Sequence, residues 1–184
     1  MPTYDRVKAA TYGLGYALYP NPAYAFLASD CTNFVSQALL AGGWTMAPSL
    51  AHDITVWWYA GKPTGSWVEH YISGYASETW TSASQFYRFL NWTNRVCRCE
   101  QEDFRLGDIV QARDAEFGML EHTMMVTSVR HWSQDVGLSY HTNNRLEVAL
   151  KGDLQKRVAF TEYIYWKVLD QYPDVHRFSF ARRI

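Results

Sequence analysis

Cysteine is scarce in this sequence: three residues in a chain of 184. An odd count leaves at least one thiol without an internal partner and argues against a disulfide framework. Long apolar runs are missing as well. Nothing approaches the roughly 20 consecutive apolar residues that a transmembrane helix needs, so no membrane insertion is expected. The opening MPTYDRVKAA lacks the charged-then-apolar pattern of a signal peptide. The expectation is a soluble chain that would act in the cell envelope, or outside the cell, only after export or delivery. Charge of one sign is not in excess either. The net charge is −1, with no basic cluster beyond Arg182-Arg183, which leaves no electrostatic footprint for nucleic acid. No Ser/Gly/Pro-rich run marks a boundary, so residues 1–184 are expected to form a single domain.

Aromatic residues, by contrast, are abundant, at 16% of the chain with eight tryptophans. They favour sheets and also the walls of clefts that hold polymers. Val7, Ala10, Thr11, Leu14, Ala17 and Leu18 recur at helical spacing before Pro20-Asn21-Pro22, which predicts a helix over about 4–19. Cys31, Phe34, Val35, Ala38 and Leu39 repeat the pattern up to Gly42-Gly43, predicting a second helix over about 31–41. Residues 44–81 show no sustained period and read as long connections with one short helix near 54–59. Ser82 followed by Gln85 is a capping-box pattern for a third helix at about 83–91. Segments 106–111, 122–130, 137–142 and 159–169 are rich in β-branched and aromatic residues and read as strands. Helices first and strands afterwards imply an α+β domain, N-terminal helices packed on a C-terminal antiparallel sheet.

The chemistry centres on Cys31. If Asp30 caps the second helix, Cys31 lies in its first turn, where unpaired N–H groups and the helix dipole present about half a positive charge. Such a position lowers a thiol pKa from about 8.5 toward neutrality, and the same N–H groups serve as part of an oxyanion hole. The alternative is that Cys31 is a small buried hydrophobe on the apolar stripe. Cys97 and Cys99 adjoin no helix start and no zinc-like partner spacing.

The segment DCTNFVSQALLAGG (30–43) resembles the signature of a bacterial amidase-domain family, related to the papain-like CHAP amidohydrolases and Nlp-type cell-wall peptidases. Further landmarks follow in family order: Tyr4-Asp5-Arg6, Asn21-Pro22-Ala23-Tyr24, Ser66-Trp67, Trp80-Thr81, the stretch 106–111, Glu121-His122-Thr123, and Tyr140-His141-Thr142-Asn143-Asn144. The resemblance implies a papain-like fold, a helix-borne nucleophile packed on a sheet, and hydrolysis of amides such as those of peptidoglycan peptides. It assigns the nucleophile to Cys31 and the general base to His122. The base takes the thiol proton and returns it to the leaving amine.

A third group should orient His122 through its other ring nitrogen. His141, Asn143 and Asn144 compete for that role. A hairpin turning near Ser133-Gln134 would place His122 opposite residues 144–147. The resemblance favours His141, because related cell-wall peptidases carry an imidazole on the following strand, with Asn144 as the rival. Asp30 reads better as a helix cap than as a ligand contact, and no side-chain donor for the oxyanion hole is identifiable. His52, His70, His131 and His176 lack metal-ligand spacing and read as surface or loop residues. Trp57, Trp58, Tyr59, Trp67 and Trp80 line a cleft or fill the core. No cofactor and no metal are expected. The expected partner is a peptide or peptidoglycan-fragment substrate. A toxin reading of the same chemistry adds an immunity or inhibitor protein, and a third reading is a catalytically idle glycan- or peptide-binding module.

Overall fold

The computed structural model describes residues 1–61, 75–130, 132–156 and 160–172. Ser66, Trp67, His70, His131, His176, Arg182 and Arg183 lie outside the described residues. The described helices are α1 (Arg6–Tyr16), α2 (Cys31–Ala41), α3 (Glu78–Thr81) and α4 (Ala83–Trp92). The strands are β1 (Val96–Arg98), β2 (Ile109–Asp114), β3 (Leu120–Arg130), β4 (Asp135–Tyr140), β5 (Arg145–Ala149) and β6 (Phe160–Val168). They form one sheet in the order β1-β6-β2-β3-β4-β5, antiparallel at every described pairing. The expected α+β arrangement is therefore present.

Strand alternation divides the core in two. Ile109 and Met125 face one cluster together with Phe34, Val35 and Leu39 of α2. Val110, Ala112, Met124 and Val126 face the other, with Phe104, Leu150 and Leu154. The helices thus cover one face of the sheet and the later loops cover its reverse.

Of the stripe expected to be buried on and just beyond helix α1, Ala10 and Ala17 are buried, but Val7, Leu14 and Leu18 are exposed. Ala9, Ala10 and Gly13 are buried, whereas Val7 is 63% exposed. The reason is a close approach: a Cβ on Gly13 would come within 2.8 Å of Thr127 Cγ2 on β3. Asp5 caps this helix by accepting from the Lys8 N–H at 3.0 Å.

Helix α2 is buried from Cys31 through Leu39, so its polar side chains need internal partners. Thr32 Oγ1 meets Thr123 Oγ1 at 3.0 Å. Asn33 donates to the Ala25 carbonyl at 2.8 Å. Ser36 donates to the Trp80 carbonyl and accepts from Trp57 Nε1, and Gln37 accepts from Tyr12 Oη. The polar half of the signature is thus a set of helix-to-fold hydrogen bonds. Gly43 ends the helix at φ 100, and a Cβ there would lie 2.8 Å from the Thr3 carbonyl.

Residues 54–59 are not a helix. Isolated bridges Ala47↔Trp57 and Tyr59↔Ala76 hold them extended, and Trp57 and Trp80 are completely buried in the core. Strands β1 and β5 and helix α3 arise where no periodic pattern predicted them.

The start of α2 is fixed by the carboxylate of Asp30, which is 1% exposed. Its Oδ1 accepts from the Leu27 N–H at 3.0 Å and from Asn33 Nδ2 at 2.7 Å, and its Oδ2 pairs with Nδ1 of His141. The carboxylate makes no side-chain cap bond to α2, which corrects the capping expectation: three other donors already claim it. His141 is itself 1% exposed, and its Nε2 donates to the Tyr16 carbonyl at 2.7 Å. One hydrogen-bonded carboxylate–imidazole pair therefore joins the end of α1, the start of α2 and the end of β4.

Removing one partner of such a pair strands the other in the core, at a cost of about 3 to 5 kcal/mol. His141→Ala should lower the unfolding free energy by that amount in urea titrations followed by circular dichroism. Asn144→Ala, which removes one bond to the Leu18 carbonyl, should cost no more than about 1 kcal/mol. Similar losses in the two variants would refute this account of Asp30.

Candidate active site

Cys31 opens α2 and is a free, buried thiol. Its Sγ donates toward the Glu121 carbonyl at 3.5 Å and lies 3.8 Å from Thr32 Oγ1. These contacts seat the start of α2 against β3 at the level where β4 has already ended. Sulfur and strand share the wall of a cleft of about 650 Å³ that Cys31, His122, Tyr140, Thr142, Arg145 and Phe160 help to line.

Two effects oppose each other at the thiol. Burial pushes its pKa up and the charge of Asp30 adds to that, while the N–H groups of Thr123 and Thr32 and the Thr32 hydroxyl pull it down. Burial prevails and the thiol titrates above its ordinary value. The expected drop toward neutrality is therefore not found. The helix start still offers what a thiolate or oxyanion needs, because the Asp30 carboxylate leaves the first N–H groups of α2 uncapped.

His122 enters the same cleft from the other side of the sheet. Along β3, Thr123 points at α2 and Met125 joins the helix-side core, while Met124 and Val126 belong to the reverse face. His122 shares that reverse face: its ring meets Tyr140 edge-on at 4.7 Å and stacks on Phe160 at 5.8 Å. Both residues pack in the reverse-face core. The pairing of β2 with β3 passes from Ala112↔His122 to Arg113↔Leu120, so Glu121 is an extra residue. Leu120 then returns to the helix side. This is the re-aiming that a β-bulge performs beside functional sites.

The imidazole is 8% exposed, and burial lowers its pKa to about 4. It is neutral at physiological pH, the form a general base requires. Neither ring nitrogen has a hydrogen-bond partner among the described residues. Packing against Tyr140 and Phe160 orients the ring instead.

The two candidates for the third catalytic position are elsewhere. Both nitrogens of His141 are occupied, by Asp30 and by the Tyr16 carbonyl, so His141 does not orient His122. Asn144 donates to the Leu18 carbonyl. The β3–β4 hairpin does turn between Arg130 and Asp135, but its register shifts between Val126 and Ser128, and residues 145–149 pair with β4 rather than β3. His122 therefore does not face residues 144–147.

Thr142 and Asn143 carry the chain from β4 to β5 at φ 59 and 79, which is unfavourable for a β-branched residue. The conformation lets Thr142 Oγ1 accept from the Asp30 N–H at 3.0 Å. Tyr140 and Phe160 were missed as site residues. Tyr140 stands in the landmark stretch, but nothing in the local pattern marks Phe160. Of the tryptophans offered as cleft walls, Trp57, Trp58 and Trp80 are buried and do not line this cleft, and Trp67 lies outside the described residues. His52 is exposed and pairs with Glu78.

Comparison with known proteins agrees with this signature-bearing architecture. The family model described as "Putative amidase domain" matches residues 3–163. The chain is 29% identical over 129 residues to the Uncharacterized protein YhbB of Bacillus subtilis (strain 168), covering 68% of this chain and 37% of that protein. It is 30% identical over 154 residues to the Uncharacterized protein YjcM of the same organism, covering 79% of this chain and 32% of that protein. The chain thus spans about a third of the length of these two relatives, and no solved structure gives a significant match. With the match running from before α1 into β6, and taking in the helix that carries Cys31 and the strand that carries His122, the chain belongs to this family of amidase domains.

Proposed function

We propose that the protein hydrolyses amide bonds through an acyl-enzyme on Cys31, with His122 as base and then acid, and that peptides of the bacterial cell wall are its substrates. One observation carries the reading: a free thiol on the first residue of a helix lines a cleft that also contains an imidazole kept neutral by burial. The resemblance to cell-wall peptidases of the papain-like type supports the choice of substrate.

The steps follow from the residues. A substrate carbonyl seated beside the uncapped N–H groups of α2 is polarised by them. The thiol rotates from the Glu121 carbonyl toward the imidazole, which accepts its proton, and the thiolate attacks the carbonyl carbon. The imidazolium protonates the leaving amine as the C–N bond breaks, leaving a thioester on Cys31. Water, deprotonated by the same imidazole, then releases the acid and restores the thiol. The thiol and imidazole share the cleft, and among the described residues no hydrogen bond joins them. Catalytic contacts are commonly looser before substrate binds.

Cys31→Ala should lower hydrolysis of muropeptides, read by product mass, by about a thousandfold or more, with the circular dichroism spectrum unchanged. Cys97→Ala should stay within about twofold of the parent, since Cys97 is exposed on the surface of an edge strand. Full activity in Cys31→Ala would refute the thiol mechanism.

The imidazole gives a pH signature. Its pKa near 4 in the folded protein lies below the ordinary histidine value of about 6.5. As pH falls, the unfolded chain takes up this proton first. His122 therefore withdraws no stability above about 6.5, and withdraws it progressively between about 6.5 and 4. Urea midpoints should decline over this interval, and His122→Gln should flatten the decline. The acid limb of kcat/KM should likewise fall nearer pH 4 than 6.5. A limb at 6.5, with a pH–stability curve unaffected by His122→Gln, would contradict the buried neutral ring.

A further inference from the structure

One side chain of the cleft has no part in the steps above. Arg145 is the only lysine or arginine among the described residues that line the cleft. It is exposed and takes part in none of the ion pairs of the described fold. The other arginines show what a structural role looks like here: Arg6 bridges Asp108 and Asp170, Arg113 holds Glu162, and Arg130 donates to the Glu147 carbonyl. Arg145 has no comparable task.

Its position is set by the sheet. Arg145 is the first residue of β5 and pairs directly with Tyr140, the residue whose ring meets His122 at 4.7 Å. Cα atoms of directly paired antiparallel residues lie about 4.5 to 5.5 Å apart. The guanidinium is thus rooted one residue pair from the residue that packs on the base. Around it the lining is polar, with Ser29, Thr142 and Asn143, and it holds one carboxylate, that of the exposed Glu121. Glu121, the acidic residue of the lining, meets the thiol through its main-chain carbonyl.

We propose that Arg145 binds a carboxylate of the substrate, so that the amide presented to Cys31 belongs to an acidic peptide. This rests on Cys31 as the nucleophile. A guanidinium is a planar fork that matches a carboxylate with two parallel hydrogen bonds, and a cation at a cleft mouth raises the local concentration of anions even before contact. A guanidinium is not deprotonated in proteins, so a preference conferred by one does not depend on the titration of the catalytic pair.

The test needs no knowledge of the natural substrate. Alkylation of Cys31 by iodoacetate, which is anionic, is compared with alkylation by iodoacetamide, which is neutral and nearly the same size. Both are followed by mass at the peptide carrying Cys31. The ratio of the two rates should fall about threefold to tenfold in Arg145→Gln at low ionic strength. In Arg145→Lys it should be largely retained, and in the parent it should decline with added salt. Arg88→Gln, on the outer face of α4, should leave the ratio unchanged.

Protection of Cys31 against iodoacetamide then separates the two sources of a carboxylate. If a side chain is read, a peptide with Glu protects better than its Gln counterpart, whether or not its C-terminus is amidated. If a chain terminus is read, the free acid protects better than the amide. Either preference should vanish in Arg145→Gln. Ready alkylation of Cys31 with a rate ratio indifferent to Arg145, or an equal drop in Arg88→Gln, would overturn this inference and leave the nucleophile standing. Failure of iodoacetamide to reach Cys31 in the folded protein would overturn the nucleophile, and the inference with it.

Discussion

The buried carboxylate of Asp30 is the constraint on which the cleft depends. A carboxylate removed from water must be surrounded by donors, and the donors it recruits belong to separate parts of the chain: the loop before α2, the first turn of α2, and the imidazole beyond β4. His141 passes the connection on to the last turn of α1. The Asp30 N–H is itself claimed by Thr142, at the expense of an unfavourable backbone conformation in a β-branched residue. The loop before α2, the start of α2 and the end of β4 are thus tied to one residue, the one immediately before the thiol. Because the carboxylate is committed in this way, it does not fold back over the first turn of α2, and its side chain caps none of the N–H groups there.

The electrostatics of the site follow from the same packing. A helix start favours a thiolate, but the helix here is surrounded by protein, and loss of water outweighs the nearby N–H groups. The imidazole is desolvated in turn by two aromatic rings. The resting site is therefore a neutral thiol and a neutral imidazole rather than an ion pair. Under the mechanism proposed above, a proton would move only when a substrate brings the developing charge under N–H groups that stabilise it.

Much of this was legible in the sequence where a periodic pattern met a clear stop. The second helix has its apolar residues three and four apart and two glycines at its end, and the structure places it at Cys31–Ala41. The long strands carry β-branched and aromatic runs and were equally readable. Strand β1 has three residues and β5 five, mixed in polarity and only partly buried, too short to imprint a period. The face of α1 was misread because hydrophobicity points to Val7 and Leu14, while the close approach to β3 demands the small residues Ala9, Ala10 and Gly13. The third catalytic position failed for a geometric reason. Counting residues across a hairpin assumes an unbroken ladder, and the irregularity near Thr127, like the bulge at Glu121, leaves no mark in residue type. Phe160 is brought to His122 by the order of strands in the sheet, which no local pattern encodes.

The thiol belongs to a helix and the imidazole to a strand, and they reach the cleft from opposite faces of the sheet. Their separation is consequently set by how α2 is seated on β3, through contacts such as Thr32 with Thr123, and not by the conformation of any one loop. A small slide of the helix along the sheet would change the gap between sulfur and nitrogen without breaking a single strand pairing. In mechanical terms the cleft is a gauge of the helix–sheet interface: a change of core volume beneath α2 would be registered first as altered reactivity of the sulfur, before it appeared as a loss of secondary structure.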